Sequence, residues 1–256
     1  MEPPQKITPE WIAGAKARGE KVPVLTAYDY PTARLLDEAG VPVILVGDSL
    51  GMVVLGYPDT THVTLAEIRH HVAAVARAKT RALVVGDLSY HTYDTPEAAV
   101  SNARILVDAG AEAVKLEGGV EVAPEIREMR KAGIAVMGHI GMLPQSVKKE
   151  GGYKIKGRSE ADKHRLLDDA LAVEEAGAFA VVMELIEPEA SREITARLNI
   201  PTIGIGSGAH CAGQILVIHD LVGAFPWFRP KFAVAKADVA SAIRGAAEAF
   251  VRDVVR

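Results

Sequence analysis

The segment VPVILVGDSLGM, residues 41–52, is the clearest indication of the fold of this chain. It is an apolar run, rich in β-branched residues, that ends in the carboxylate of Asp48. A buried carboxylate is unfavourable at the end of such a run unless something pairs with it or binds to it. Six other short apolar runs also end in one polar side chain: Asp29, Asp87, Glu117, His139, Glu184 and Asp220. This repetition predicts that the polar ends meet at one face of a parallel barrel.

Strand-like and helix-like segments alternate along almost the whole chain. The predicted strands are 22–29, 41–48, 82–87, 113–117, 135–139, 180–184, 202–205 and, with a weaker pattern, 215–220. The predicted helices are 30–39, 65–79, 96–109, 122–132, 161–176, 188–198 and 237–254. The strands are apolar on both faces, which indicates a sheet covered on both sides.

Eight such units in 256 residues predict a single-domain (β/α)8 TIM barrel over residues 1–256. A barrel of this kind takes about 250 residues, and no linker or change of composition divides the chain. A doubly wound open sheet is the structural alternative.

The composition excludes several classes of function. A formal net charge of −4 provides no basic stripe for nucleic acid, and no apolar run approaches the roughly 18 residues of a membrane span. The N-terminal segment lacks an apolar signal core, and the lone cysteine, Cys211, excludes an intrachain disulfide framework. These features predict a soluble cytoplasmic protein.

Two long loops follow predicted strand ends, at 48–63 and 141–158. Both are rich in glycine, and the second also carries several lysines. Active sites in barrels lie where the strands end, so both loops would overhang the site as lids.

Three acids, Asp48, Asp87 and Glu117, end the second, third and fourth strands. Adjacent strand ends bring carboxylates close enough to share one cation, and oxygen ligands suit Mg²⁺, Mn²⁺ or Ca²⁺. The alternative is that each acid caps the following helix or pairs with a lysine such as Lys115.

Lys115 lies two residues before Glu117, so both side chains face the barrel axis. A lysine beside acids can hold a substrate carboxylate as a point charge, or it can merely neutralise the acids. A Schiff-base role is disfavoured, because it requires a depressed pKa and neighbouring carboxylates raise the pKa of a lysine.

Glu184 ends the sixth strand, well separated from the other acids in the barrel order. A lone carboxylate in an apolar cavity has a raised pKa, as a general base near neutrality requires; a salt bridge to a loop Lys or Arg is the alternative. His139 is equally compatible with catalysis and with a hydrogen-bonded core histidine. The GIGSG segment, 204–208, resembles the phosphate-binding position of many barrels, although glycine-rich loops are common.

Several motifs, in order and with matching spacing, resemble the ketopantoate hydroxymethyltransferase family. They are VGDSLGM from Val46, Asp87-Leu88, VKLEGG from Val114, GHIG from Gly138 with Pro144-Gln145, GGYKIKGR from Gly151, and GIGSG from Gly204. The similarity extends from about residue 26 to residue 232.

The resemblance implies a (β/α)8 barrel that catalyses Mg²⁺-dependent transfer of a hydroxymethyl group. The donor would be 5,10-methylenetetrahydrofolate and the acceptor 3-methyl-2-oxobutanoate, giving 2-dehydropantoate and tetrahydrofolate in pantothenate biosynthesis. It also implies a homo-oligomer, specifically a homodecamer.

By motif position, the resemblance implies that Asp48 and Asp87 bind the metal, with Glu117 completing its shell. Asp48 and Asp87, with Ser49 and Lys115, would hold the keto acid, and His139 would lie near it. Glu184 would be the proton acceptor.

Two other functions compete with this one. One is a metal-dependent 2-oxo-acid lyase of the isocitrate lyase and phosphoenolpyruvate mutase type, which typically carries a catalytic cysteine in a Lys-Lys-Cys-Gly-His-like loop. Cys211, after the seventh strand, does not match that position. The other is a barrel that serves only in binding or scaffolding, for which the costly ring of acids has no use.

Overall fold

A computed structural model describes residues 5–255 of the chain. Eight parallel strands form a closed barrel in which each strand pairs with the next along the sequence. They are β1 (Val22–Thr26), β2 (Val43–Val46), β3 (Leu83–Asp87), β4 (Ala113–Lys115), β5 (Val136–Gly141), β6 (Ala180–Glu184), β7 (Thr202–Ile205) and β8 (Gly213–Leu216). The predicted barrel is confirmed, and the open doubly wound sheet is wrong because the strand order has no reversal.

Helices connect most of the strands. They are α1 (Pro9–Ala13), α2 (Tyr30–Glu38), α3 (Leu50–Val53), α4 (Leu65–Ala76), α5 (Pro96–Asp108), α6 (Ala123–Lys131), α7 (Val147–Glu150), α8 (Glu160–Glu175), α9 (Pro188–Arg197), α10 (Ile218–Val222) and α11 (Val239–Val254). Short 3-10 turns lie at Thr60–His62, Val120–Val122 and Pro144–Ser146. The helix starts agree with the sequence signals; Thr95, for example, caps α5 by accepting a hydrogen bond from Ala98 N.

The predicted eighth strand, 215–220, is wrong. Strand β8 is Gly213–Leu216, and the chain then enters α10, which contains Asp220. Gly213 and the exposed Gln214 interrupt the apolar pattern where the strand begins. The apolar run therefore predicted a strand that begins two residues later, at Ile215. No helix lies in the described connection 206–212 between β7 and β8, which departs from a strict alternation of strand and helix.

Contacts divide the chain into two compact units, one up to Ile215 and one from Leu216. The second unit holds α10 and α11. Lys236 N donates a hydrogen bond to the carbonyl oxygen of Leu221, and Ala240 N donates one to that of Gly223; these bonds connect the two helices. A single domain over residues 1–256 therefore stays a prediction. Among residues 5–255, no helix is both long and apolar enough to cross a membrane.

Helix α1 lies against the residues that begin several strands. Its Ile12 is fully buried in one apolar cluster with Val22, Val43 and Leu83. Lys16, just after the helix, donates hydrogen bonds to the carbonyl oxygens of Thr195 and Leu198 near the end of α9. The helix thus covers the end of the barrel away from the polar strand ends, and its apolar side chains complete the core there.

We predict that Ile12→Ala lowers the free energy of unfolding by about 2–5 kcal/mol, because it removes a fully buried side chain that the core cannot refill. Leu35→Ala, at a side chain that is 64% exposed, is the control and should cost less than about 0.5 kcal/mol. Urea unfolding followed by circular dichroism measures both. Equal costs for the two variants would contradict the covering role of α1.

Candidate active site

The polar residues meet at the carboxyl ends of β2 to β6 because the strands are parallel and in register. Asp87 ends β3 and pairs directly with Lys115, which ends β4. Glu184 ends β6 and pairs with Gly141 of β5. Asp48 and Glu117 follow the last residues of β2 and β4 by two positions.

Lys115 lies at the centre of this group. Its Nζ is 2.8 Å from Asp87 Oδ1, 3.5 Å from Glu117 Oε1 and 3.3 Å from His139 Nδ1. All four side chains are almost completely buried. The predicted alternative, in which Lys115 neutralises the acids, therefore describes part of what the residue does.

Backbone and side-chain hydrogen bonds join the acids to one another. Asp48 N donates to Asp87 Oδ2 at 3.1 Å. Gln145, from the loop after β5, donates from its Nε2 to Asp48 Oδ2 and from its backbone N to Glu117 Oε2, both at 3.0 Å. Asp48, Asp87 and Glu117 are thus one connected group and do not cap the helices that follow them.

Burial sets the protonation of the acids. It raises the pKa of Asp87 to about 7, with the charge of Asp48 adding to the rise and that of Lys115 opposing it. Burial also raises the pKa of Asp48 and, more strongly, that of Glu117. One ammonium cannot compensate for several buried carboxylates, so the group favours further positive charge.

Lys115 remains protonated. Burial disfavours its ammonium, but the charges of Asp87, Glu117 and Asp48 outweigh burial and raise the pKa of Lys115. A Schiff-base lysine needs the opposite shift, so the structure removes that role. A permanent point charge at this position suits the binding of a substrate carboxylate.

His139 lies between Lys115 and Glu184. Burial lowers the pKa of His139 well below its usual range, and the charge of Lys115 adds to the effect, so the ring is neutral. Because an ammonium can only donate, Nδ1 must accept from Lys115 and the ring proton must lie on Nε2. That Nε2 is 3.3 Å from Glu184 Oε2, although without good hydrogen-bond geometry.

Glu184 differs from the other buried acids in its partners. Among residues 5–255 it forms no ion pair with Lys or Arg, so the predicted alternative of a salt bridge is wrong. Its side chain is 12% exposed. Burial raises the pKa of Glu184 to about 8, with Lys115 opposing the rise and Asp48 adding to it. A carboxyl group with this pKa can take up and release a proton near neutrality.

The carboxylates fit a hard divalent cation in their chemistry. All are oxygen ligands, and neither Asp87 Oδ1 nor Glu117 Oε1 accepts a hydrogen bond of good geometry, although Lys115 lies close to both. Within the described part of the chain, no three His, Cys, Asp or Glu side chains are grouped closely enough to hold a metal by themselves. The oxygen donors, with two carboxylate oxygens that lack a hydrogen bond of good geometry, are compatible in their chemistry with a hard divalent cation.

The two predicted lid loops are joined to each other. Lys148, in α7, lies 3.1 Å from Asp59 Oδ2 and donates to Thr61 Oγ1 at 2.9 Å. Burial by itself would raise the pKa of Asp59, but hydrogen bonds from Thr61 and Lys148 outweigh burial and lower this pKa to about 2. The loops after β2 and β5 are therefore held together by an ion pair that persists at physiological pH.

The other predicted residues have different positions. Asp29 caps α2 by accepting a hydrogen bond from Thr32 N at 2.8 Å, and Asp220 lies within α10. In the GIGSG segment, Ser207 donates to the carbonyl oxygen of Met183 and accepts from Ile186 N. The serine thus ties β6 to β7, and its hydroxyl is occupied by the fold.

Sequence reasoning assigned no role to three residues that the structure brings to the site. Gln145 contacts two of the acids, and Tyr93 donates to Gln145 Oε1 at 2.6 Å. The hydroxyl of Tyr28 hydrogen-bonds with Ser49 Oγ at 2.8 Å. Only the Pro144-Gln145 motif offered a signal, because loops bring these residues together from distant parts of the sequence.

The fold and the site define an enzyme of the parallel-barrel class that acts on a small molecule at its strand ends. Solved structures agree with this fold. Phosphonopyruvate hydrolase in complex with oxalate and Mg²⁺ superimposes with a TM-score of 0.65, at 14% identity over 96% of this chain and 86% of that chain. The 2,3-dimethylmalate lyase of the PEP mutase/isocitrate lyase superfamily has a TM-score of 0.64, at 19% identity over 98% and 89%.

Sequence relatives are much more similar. The model of the ketopantoate hydroxymethyltransferase family matches residues 6–256. The 3-methyl-2-oxobutanoate hydroxymethyltransferase of Chloroflexus aurantiacus is 53% identical over 250 residues, which are 97% of this chain and 89% of the relative. That of Ignicoccus hospitalis is 51% identical over 251 residues, 98% of this chain and 95% of the relative. The chain belongs to the ketopantoate hydroxymethyltransferase family.

We predict that Glu184→Gln stabilises the protein increasingly as the pH rises. Between the unfolded pKa of about 4.3 and the folded pKa of about 8, native Glu184 keeps a proton that the unfolded chain releases. The stability of the parent therefore falls across this window, and glutamine removes that loss. Urea unfolding in EDTA should show a gain of about 1–3 kcal/mol at pH 8.5 and much less at pH 5.

Glu189→Gln, at an exposed surface ion pair, is the control and should change stability little at either pH. The prediction is contradicted if the difference in free energy of unfolding between Glu184→Gln and the parent is the same at pH 5 and pH 8.5. Glu184 would then be ionised in the native protein at neutral pH.

Proposed function

We propose that this enzyme transfers a hydroxymethyl group from 5,10-methylenetetrahydrofolate to 3-methyl-2-oxobutanoate, giving 2-dehydropantoate and tetrahydrofolate. Family membership over nearly the whole chain supports the reaction. The observation that carries the mechanism is the position of Glu184. It is a largely buried carboxylate, 12% exposed, with a pKa near 8; it faces His139 and has no lysine or arginine partner in the described chain.

The buried acids would bind Mg²⁺, and Lys115 would bind the carboxylate of the keto acid. Asp48 and Asp87 would hold Mg²⁺, and Glu117 would complete its shell. Mg²⁺, when bound, supplies positive charge that stabilises the enolate of a 2-oxo acid. Lys115 holds the substrate carboxylate as a point charge, and Ser49, oriented by Tyr28, contacts the substrate beside it.

Glu184 removes the proton from C3 of the keto acid. A base with a pKa near 8 can accept a proton from carbon and return it to water near neutral pH. His139 carries its ring proton on Nε2, 3.3 Å from Glu184 Oε2, because Lys115 keeps Nδ1 as an acceptor; no hydrogen bond of good geometry joins the two groups. His139 therefore contributes as a neutral neighbour of the substrate and of the base.

Water adds to the methylene carbon of the folate, opened as an iminium, and the bond from that carbon to the folate nitrogen breaks, which gives tetrahydrofolate and formaldehyde. C3 of the enolate then forms a bond to the carbon of formaldehyde, and the resulting alkoxide takes a proton from Glu184 to become the hydroxyl group of the product. The two loops joined by Asp59 and Lys148 would keep the formaldehyde at the strand ends until it reacts.

The setting of the enzyme follows from the same reasoning. Its substrates are soluble small molecules, and a single buried cysteine fits a reducing compartment, so we place the enzyme in the cytoplasm. We expect a homo-oligomer, a homodecamer by family resemblance, with no membrane or nucleic-acid partner.

A pair of variants tests this division of roles. Glu184→Gln should lower kcat about 10²–10⁴-fold while the affinities for Mg²⁺ and keto acid stay close to those of the parent, because it removes only the base. Asp87→Asn should weaken Mg²⁺ binding on the order of 100-fold, because it removes the negative charge of a direct ligand. Steady-state kinetics and isothermal titration calorimetry measure the two effects. Full activity in Glu184→Gln, or unchanged Mg²⁺ affinity in Asp87→Asn, would contradict the corresponding assignment.

A further inference from the structure

Gln145 is a neutral side chain that reaches the acids from a loop outside their own strands. It lies in the 3-10 turn Pro144–Ser146, in the loop after β5, yet only 3% of its surface is exposed. A long polar side chain is seldom this buried in a loop unless all its polar groups are satisfied.

Both polar atoms of the Gln145 side chain and its backbone N have partners. Its Nε2 donates to Asp48 Oδ2 and to the carbonyl oxygen of Leu88, each at 3.0 Å. Its Oε1 accepts from the hydroxyl of Tyr93, and its backbone N donates to Glu117 Oε2. Two oxygens that can only accept lie at the Nε2 end and fix the orientation of the amide, because a flipped amide would lose the bonds to Asp48 and Leu88.

These bonds connect two acids that lie on different strands. Asp48 follows β2 and Glu117 follows β4, and neither is in contact with the other through a direct hydrogen bond in the described structure. One residue therefore fixes one oxygen of each carboxylate at the same time. The N–H donors also favour the ionised carboxylates, which are the forms that bind cations.

The neutrality of Gln145 suits this position. A lysine there would compete with a cation for the acids, and a glutamate would add to a negative charge that Lys115 already fails to balance. An amide supplies hydrogen-bond donors without altering the net charge of the group.

We infer that Gln145 is a positioning residue that holds Asp48 and Glu117 in place for the cation and thereby couples closure of the loop after β5 to metal binding. This inference rests on the proposed metal-binding role of the acids. Gln145 belongs to the same loop as Lys148, so the contacts that order the carboxylates and the contact that joins the two loops lie in one segment.

Gln145→Met is the decisive variant. Methionine has nearly the same length and shape and keeps the backbone bond to Glu117, but it removes the bonds to Asp48, Leu88 and Tyr93. Ser146→Ala, at the next position of the same turn, is the matched control. Tyr93→Phe removes only the partner of Oε1 and should have an intermediate effect.

Two measurements separate positioning from packing. Mn²⁺ binding, followed by electron paramagnetic resonance, should weaken about 10–100-fold in Gln145→Met and remain parental in Ser146→Ala. Tryptic cleavage after Lys148 and Lys149 should be slowed by Mn²⁺ in the parent about tenfold and not in Gln145→Met. Circular dichroism without metal should be the same for all variants, while Gln145→Met should unfold at a lower temperature than the parent because it leaves the buried partners of the amide unsatisfied.

Parental Mn²⁺ affinity in Gln145→Met would overturn the inference, as would parental protection of the loop by Mn²⁺ in that variant. Asp87→Asn distinguishes this failure from failure of the proposed site. If Asp87→Asn loses Mn²⁺ and Gln145→Met keeps it, only the role of Gln145 falls. If both variants bind Mn²⁺ as the parent does, the metal site itself is wrong and the inference falls with it.

Discussion

The site depends on an excess of buried negative charge around a single ammonium. Lys115 touches Asp87 and Glu117, and Asp48 and Glu184 lie close enough to influence the same group of charges. Burial makes each carboxylate costly, and one lysine cannot neutralise them all. The acids therefore hold protons at neutral pH. Their excess negative charge can instead be balanced by a bound cation, and the raised pKa of Glu184 suits a base that takes up and releases protons.

The barrel allows these charged side chains to be grouped without placing them in the apolar core. Parallel register places Asp87 beside Lys115 and Glu184 beside Gly141, so the chemistry lies at strand ends while the strands themselves stay apolar. Gly141 has a positive φ of 99°, and a Cβ there would lie 2.4 Å from the carbonyl oxygen of Glu184. A glycine is thus required where β5 ends and the loop that carries Gln145 begins.

The sequence pattern predicted the barrel and most of its elements because apolar runs and helix caps are local signals. It also predicted which residues face the site, since strand ends in a parallel barrel share one face. It failed at β8, where Gly213 and Gln214 interrupt the apolar run, and at Asp220, which belongs to a helix. Gln145 and Tyr93 received no role, because their meeting depends on loop conformations that no periodicity encodes.

In the proposed mechanism, the buried acids bind a cation and Glu184 removes a proton from the keto acid before any folate is needed. Exchange of the C3 hydrogen of 3-methyl-2-oxobutanoate with deuterium oxide, followed by proton NMR without folate, isolates this half-reaction. We predict that the parent enzyme catalyses an exchange that requires Mg²⁺ and is lost in Glu184→Gln. Absence of exchange in the parent with Mg²⁺ present, or equal exchange with and without Glu184, would contradict it.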